Sequence, residues 1–568
     1  MFFRSKKSGR RTYLQIVENR WEDGQSRQQV IATLGRLDQL QQDGQLDALL
    51  LSGARFSQTL LLLSAHAQGR LPVITTRHIG PALLFERLWQ ETGCRAIVEQ
   101  LLAGRQFEFP VERAIFLTLL HRLVAPGSDR AADQWRTNYQ IDGCEPLQLH
   151  HLYRAMAWLG EELADEQQQG RTPFAPRCTK DLIEEGLFRQ RQNLFTGLDL
   201  VFFDTTSIYF EGDGGESLGQ HGHTKDHRPD LKQMVVGAVL DNQGRPVCCE
   251  LWPGNTTDVK TLIPIVDRLR QRFGIQRICI VADRGMISRE TLTELEKPER
   301  GWQYILGARM RSQNEVKDEV LSRAGRYRVV HPERTNRKDP SPLKVKEVWV
   351  EDRRYVVCLN EAEARKDAAD REAIVTALRE KLRQGDKSLI GNRGYRRFVS
   401  SESATRFQID EAKIAEEARY DGKWVLRTNT ELATEDVALQ YKRLWMVEHW
   451  FRSCKSLLET RPIYHKCDAT IRGHVFCSFL ALVLRQELQA RLEARGHDLE
   501  WAEVIRDVEE LQVVEVEQDG KRFLLRSETK GTCGKAFQAA GVALPPTVRQ
   551  VSPSPAGTGQ SHSATPHM

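Results

Sequence analysis

Cysteine pairs at CxxC spacing are missing. The eleven cysteines are scattered, with only Cys248 and Cys249 adjacent, so neither a zinc ribbon nor a disulfide framework is indicated, and a reducing cytoplasm fits best. A membrane-spanning run is missing too: the longest apolar stretch, within VFCSFLALVLRQEL from Val475, falls short of the roughly 20 residues that cross a bilayer and reads as a buried helix. The N-terminus, MFFRSKKSGRRTYLQ, is basic but lacks the apolar run of about 7–15 residues that marks a signal peptide. No internal repeat is visible. Nor is there a large charge excess. Although 28% of residues are charged, the net charge is only +5, so nucleic-acid binding would have to come from local patches.

At 568 residues the chain has room for about three or four domains. Residues 1–36 read as a basic arm followed by a β-hairpin, in which alternating TYLQIVENRW and QQVIATLG flank EDGQ and Gly24 can take positive φ. Residues 37–195 turn helical, with apolar residues three and four apart in LDALLLSGARFSQTLLLL, PALLFERLWQETG and VERAIFLTLLHRLVAPG. At 198 the period changes. Three β-rich runs, LDLVFFDTT, QMVVGAVLD and PVCCELWPG, precede a helix from about Asp258 to Phe273, the strand RICIVAD, a helix from Ser288 to about Lys297, and the strand WQYILGAR. That order predicts a mixed α/β sheet with buried central strands over 196–310, completed at 430–490 by one helix from about Thr434 to Leu458. Residues 311–429 are too long to be a structureless loop and are expected as a β-rich insertion subdomain. Residues 491–550 are a C-terminal region, and the Ser/Pro/Gly-rich 551–568 a disordered tail.

Three carboxylates carry the chemistry. Asp204 follows the apolar run Leu200–Phe203, and Asp283 follows Ile278–Ala282 in the same way. If the two strands are neighbours, their carboxylates emerge together and repel unless cations lie between them. Each taken alone is equally an ordinary turn former or helix cap. Glu448 lies on the third element. Tyr441, Glu448 and Lys455 are spaced by seven and seven, so one helix face holds all three with only about 20° of drift per heptad, and Arg452 lies on the same side. Such a face could ligate a metal while Arg452 and Lys455 hold phosphates. It could equally be an exposed helix with a Glu448–Arg452 ion pair.

Taken together, FFDTTS, PGNTTD at 253–258, VADRGM at 281–286 and the step from Glu448 to Lys455 resemble the DDE transposases of bacterial insertion sequences, most closely the insertion-sequence-four-like group. TKDHRPDLKQ at 224–233, RPIYH at 461–465 and the basic arm with its hairpin add to the likeness, which spans roughly residues 1–500. The resemblance implies a multidomain α/β protein with a ribonuclease-H-like core. Its mixed sheet is flanked by helices, interrupted by a β-rich insertion, and preceded by a small hairpin and a helical region that binds DNA ends. It implies that Asp204, Asp283 and Glu448 hold two divalent ions, magnesium or manganese. One ion would activate water and later the freed 3′-hydroxyl, while the other stabilises the leaving oxygen during in-line displacement. The implied partners are the terminal inverted repeats of the element and target DNA, bound by a homodimer in a synaptic complex. The implied location is the nucleoid of a bacterial cytoplasm, with no membrane contact. One position departs from the group pattern Tyr-x2-Arg-x3-Glu-x6-Lys: Leu444 stands where the arginine is expected, Arg443 next to it points about 100° away, and Arg452 is the nearest substitute.

Other residues have weaker signals. Lys225, Arg228 and Lys232 are candidate phosphate contacts, against a plain solvated loop. Arg396 and Arg397, with Arg393 around Tyr395, could line a DNA groove with the tyrosine stacking on a base, against an ordinary basic loop. His221, His223 and His227 lack a further ligand at zinc spacing. For most of Trp302, Trp349, Trp424 and Trp445 a core role is expected in place of a base-flipping wedge. Arg4, Lys6, Lys7, Arg10 and Arg11 read as a DNA-contacting arm or a solvated tail. Two other functions stay open: a catalytically inactive sequence-specific DNA-binding descendant, which Leu444 keeps in view, and a structure-specific nuclease on the same core.

Overall fold

β-Branched and aromatic residues dominate the runs between Asp199 and Gly307, and in the computed structural model they build the centre of a nine-stranded mixed sheet. The structure describes all residues except 23–24, 55–72, 170, 172–174, 192–198, 276–277, 335, 337–338, 385–396, 404–405, 519–520 and 552–568. Within the sheet we number β1 (Asp199–Tyr209), β2 (Gln233–Leu240), β3 (Pro246–Pro253), β4 (Ile278–Ala282) and β5 (Gln303–Gly307). They lie in the order β3-β2-β1-β4-β5, antiparallel among the first three and parallel from β1 through β4 to β5. The expected mixed α/β sheet with a buried centre is what forms.

Two helices cover one face of it. α1 (Leu262–Phe273) ends at Gly274, whose φ of 65° supplies the left-handed cap. It sends Leu262, Ile265, Val266, Leu269 and Phe273 into a core shared with Val201, Phe203, Trp252, Ile280 and Leu306, each buried side chain contributing about 1.5–3 kcal/mol. α2 (Arg289–Leu295) starts at Ser288, whose hydroxyl accepts the Thr291 N–H at 3.0 Å.

Beyond β5 the same sheet continues. β9 (Lys423–Thr428) pairs antiparallel with β5, followed by β8 (Arg353–Leu359), β7 (Leu343–Val350) and β6 (Arg328–His331). Four strands of the expected insertion therefore extend the core sheet, while Val399–Ser403 and Arg406–Ile409 form a separate two-stranded sheet. β5 is buried on almost every residue, and its outer backbone groups need partners that water cannot supply there.

The glutamate-bearing segment is broken where one helix was expected. α3 (Thr434–Lys442) and α4 (Trp445–Arg452) are separated at Arg443–Leu444, and Ser453–Leu457 is a π turn. Leu444 is buried, and the Arg443 guanidinium donates to the Asn242 carbonyl. The N–H groups of Leu444, Met446 and Val447 bond three residues back, which overwinds this stretch, and the π turn then underwinds the next. α5 (Asp468–Ala494) follows and buries the apolar run from Val475. Among the described residues no helix is long and apolar enough to cross a membrane.

The chain divides into two compact units, Phe85–Arg136 with Ile141–Ala494, and Met1–Leu84 with Thr137–Gln140 and Arg495–Met568. In the first, Arg272 of α1 is 1% exposed. It bonds Asp181 at 3.2 Å, Glu184 at 2.6 Å, Glu185 at 2.9 Å and Glu250 at 3.0 Å, tying the helix Thr179–Arg191 to α1 and β3. Removing one partner of a buried ionic network leaves uncompensated charge. Arg272→Met is therefore expected to cost about 3–5 kcal/mol, read as a lower denaturant midpoint for loss of tertiary signal.

In the second unit the basic arm is itself a strand. Phe2–Ser8, Arg11–Glu22 and Gln25–Arg36 form an antiparallel three-stranded sheet, turning at Gly9 with φ 60°. Val73–His78, in the stretch expected as helical, is also a strand. It pairs with Gln512–Gln518 in a four-stranded sheet with Lys521–Arg526 and Val548–Val551. Its β-branched VITT suits that lattice.

Candidate active site

The register of the parallel pair, with Phe203 opposite Ala282, sets Asp204 and Asp283 side by side. β1 does not end at Asp204. Its continuation Thr205–Ile208 stays paired with β2, while β4 stops, so Asp204 lies half-buried along the edge that β4 vacates. Asp283 opens a short turn over Arg284–Met286. Burial pushes the Asp204 carboxyl up to about 6, and the charges of Asp283 and Asp258 push the same way against the Lys225 ammonium and the Thr205 N–H.

Asp258 is the residue that sequence reasoning missed. Its Oδ1 accepts from the Thr205 hydroxyl at 2.6 Å and its Oδ2 lies 3.2 Å from Lys225 Nζ. A Cβ on Gly285 would stand 3.5 Å from the same Oδ2, so this carboxylate closes the third side of the site. The signal was present in PGNTTD, an acid just past a strand end.

Tyr441 on α3 donates its hydroxyl to Asp283 Oδ1 at 2.7 Å. Burial, with the Asp283 charge beside it, pushes the phenol well above its usual range, so it remains a donor. Gly307 makes this possible, because a Cβ there would meet the tyrosine oxygen at 2.4 Å. Lys455 is drawn to Asp226 at 2.8 Å. Lys225 is also engaged, lying 4.0 Å from Asp204 and donating to Thr205 O at 2.7 Å.

Glu448 does not join the aspartates at ligand distance. It is exposed on α4, which packs against β1 and β2. Among the described residues, the only group of three acid, imidazole or thiol ligand atoms within 4.8 Å of one another is Asp129, His465 and His474. That cluster is already committed. His474 Nδ1 accepts from the Arg122 guanidinium at 2.8 Å, and Nε2 donates to the Thr460 carbonyl at 3.1 Å, leaving no lone pair for a metal.

The remaining candidates separate clearly. Arg452 is exposed and its guanidinium makes no hydrogen bond to the described residues. Arg228 pairs with Asp230 at 2.8 Å, and Lys232 reaches Asp213 at 3.5 Å. Arg397 is exposed and lies over the Phe398 ring, while Arg396 lies outside the described residues, as do Arg393 and Tyr395. His221, His223 and His227 are exposed and form no three-ligand group among the described residues. Trp302 is buried, but Trp349 and Trp445 are 50% and 59% exposed, so a core role does not hold for those two.

Residues 196–484, just over half of the chain, match the family described as transposase DDE domain. The chain belongs to the DDE transposases. Residues 3–66 of this transposase match the N-terminal domain of IS1634 family transposases. Among curated proteins none matches. Among solved structures, a piggyBac transposase synaptic complex with hairpin DNA is similar over 76% of this chain and 79% of that one, at 10% identity and a TM-score of 0.36. A Mos1 transposase paired-end complex with the left transposon end is similar over 37% and 66%, at 14% identity and a TM-score of 0.13. With likenesses that weak, the family rests on the sequence match. A DDE domain of this kind generally depends on divalent metal.

The raised Asp204 carboxyl has a measurable consequence. Its folded value of about 6 exceeds the ordinary 3.8, so its stabilising contribution is complete below about pH 3.8 and is lost as pH rises through 6. Asp204→Asn is expected to be more stable than the parent at pH 7.5 by about 3 kcal/mol, with the difference shrinking toward pH 4, measured by melting in chelator across that range.

Proposed function

We propose that this transposase cuts DNA at the ends of its own insertion sequence and joins the freed ends to target DNA, with Asp204, Asp283 and Glu448 as the carboxylates that hold divalent cations. The observation that carries this reading is the juxtaposition of Asp204 and Asp283 on neighbouring parallel strands, where burial, with a smaller push from the neighbouring Asp283 charge, raises the Asp204 carboxyl. Hard, anionic, incompletely neutralised oxygens fit magnesium or manganese. When bound, such ions supply the positive charge that activates water or a 3′-hydroxyl and stabilises the departing oxygen.

The chain's own residues do the positioning. Tyr441 fixes one oxygen of Asp283 through its hydroxyl. Thr205 and Asp258 brace the opposite side. Glu448 is the third carboxylate in this reading, on a helix that packs on the strand of Asp204. Arg452, exposed one turn on, faces DNA in place of the arginine that Leu444 replaces. Two ends are cut together most simply by a homodimer. The eight Lys and Arg of residues 1–36 against three acids make a surplus equal to the whole chain's +5, so the N-terminal sheet is the first region to meet DNA.

The test is incubation of the purified full chain with labelled DNA from the gene's flanks, with and without magnesium. Specific cuts at both flanks that require metal are expected. Binding without cutting under both magnesium and manganese would overturn catalysis in favour of the inactive descendant, and cutting without end preference would favour the nuclease.

A further inference from the structure

Two successive side chains in the loop between β1 and β2 point into two different subsites. Lys225 Nζ sits among oxygens, 2.7 Å from Thr205 O, 3.0 Å from Thr205 Oγ1, 3.2 Å from Asp258 Oδ2 and 4.0 Å from Asp204 Oδ1. The next residue, Asp226, sits among cations. Its Oδ1 accepts from Lys455 Nζ at 2.8 Å and from the Arg461 guanidinium. The Asp226 side chain is only 7% exposed, and its Oδ2 is buried with no hydrogen-bond partner. The loop is pinned by the Lys225 N–H on Ser207 Oγ at 2.8 Å and passes next through His227 at φ 57°, a conformation a non-glycine residue adopts at some cost.

An ammonium packed against Asp204 and Asp258 repels any second cation brought to those oxygens. A carboxylate clasped by a lysine and an arginine occupies what is chemically a phosphate site, and the lone Oδ2 makes that occupancy an unsatisfied one. We propose that Lys225 and Asp226 are a paired placeholder, a built-in cation on the carboxylates and a built-in anion on Lys455 and Arg461, and that divalent metal and a backbone phosphate of DNA displace them together. Because one dipeptide fills both subsites, release from either weakens its hold on the other. Metal and DNA affinities are thereby linked reciprocally. The placeholder rests on the carboxylate reading proposed above.

The experiment is Mn2+ binding to the full-length, DNA-free protein, followed by the electron paramagnetic resonance of free Mn2+, together with binding of flank DNA in chelator across a salt series. Lys225→Met keeps the alkyl stem and removes the charge, and is expected to tighten Mn2+ binding by about tenfold or more. Asp226→Asn removes the anion that competes with that phosphate for Lys455 and Arg461. It is expected to tighten DNA binding and to steepen the dependence of log affinity on log salt by roughly 0.9, the value for one phosphate. Lys225→Gln is the second variant should the methionine form melt early. Mn2+ affinity unchanged or weakened in both Lys225 variants overturns the proposal, as does weaker DNA binding by Asp226→Asn, which would mean that Asp226 orients the two cations for DNA. Asp204→Asn separates the two readings. If it binds Mn2+ like the parent, the carboxylate reading itself fails. If it loses Mn2+ while Lys225→Met changes nothing, only the placeholder fails.

Discussion

Asp204→Ala and Asp283→Ala, each made alone, are expected to lower end-specific cleavage by roughly 10³-fold or more, about 4 kcal/mol of transition-state stabilisation at 1.36 kcal/mol per decade. DNA affinity in chelator should survive both changes. The expectation follows from the site's construction. The two carboxylates lie side by side just past the Phe203–Ala282 pairing of neighbouring strands, so losing either removes one of the three anionic groups proposed to gather the cations. Nothing else in the site replaces it: Asp258 is tied to Thr205 and Lys225, and Tyr441 is a donor. Asp258→Asn should keep the bond from Thr205 and so reduce cleavage by a smaller factor. The measurement is single-turnover nicking of end-labelled flank DNA under magnesium, beside a gel-shift titration of the same duplex. Cleavage by Asp283→Ala at the parental rate would remove the DDE site from this pair of strands.

Those two aspartates were legible because of how a buried parallel sheet writes itself in sequence. LVFF and ICIVA are uninterrupted apolar runs, as strands covered on both faces must be, and the first charged residue after each is the aspartate; it ends the strand at Asp283 but not at Asp204, where the strand runs on to Tyr209. The order of three strands, helix, strand, helix, strand was legible for the same reason. What escaped was set by tertiary contact. Asp258 enters the site through a hydrogen bond to a threonine 53 residues earlier, and its local sequence reads only as the start of a helix. The pairing of β9 with β5 joins strands separated by more than a hundred residues, as does that of Val73–His78 with Gln512–Gln518, and such pairings leave no local periodicity. The break at Arg443–Leu444 contains neither glycine nor proline. It is imposed by burial of Leu444 and by Arg443 reaching the Asn242 carbonyl and the Phe202 ring. For that reason the heptad arithmetic linking Tyr441, Glu448 and Lys455 did not carry over to the glutamate.

Replacing Lys6, Lys7, Arg10 and Arg11 together by glutamine is expected to cost about 10³-fold in affinity for flank DNA near 0.15 M salt. The same change should flatten the slope of log affinity against log salt by roughly 3.6, at about 0.9 for each phosphate no longer neutralised. All four residues are exposed, and among the described residues none makes an ion pair. They crowd the tip of a hairpin whose register runs from Phe2 opposite Val17 to Ser8 opposite Arg11. A solvated tail would have to be ordered when it met DNA, whereas cations fixed on a ladder have already lost that freedom in folding. A two-stranded ribbon also has the width to enter a major groove. The charge distribution adds weight, since residues 37–568 are neutral overall and the whole surplus lies in this segment. The catalytic unit should melt as before, because the four side chains project from the other unit. Fluorescence anisotropy with a labelled flank duplex, read from low salt to well above 0.15 M, would give both quantities at once. An unchanged slope would mean that the phosphates are met elsewhere, in the helical region before β1.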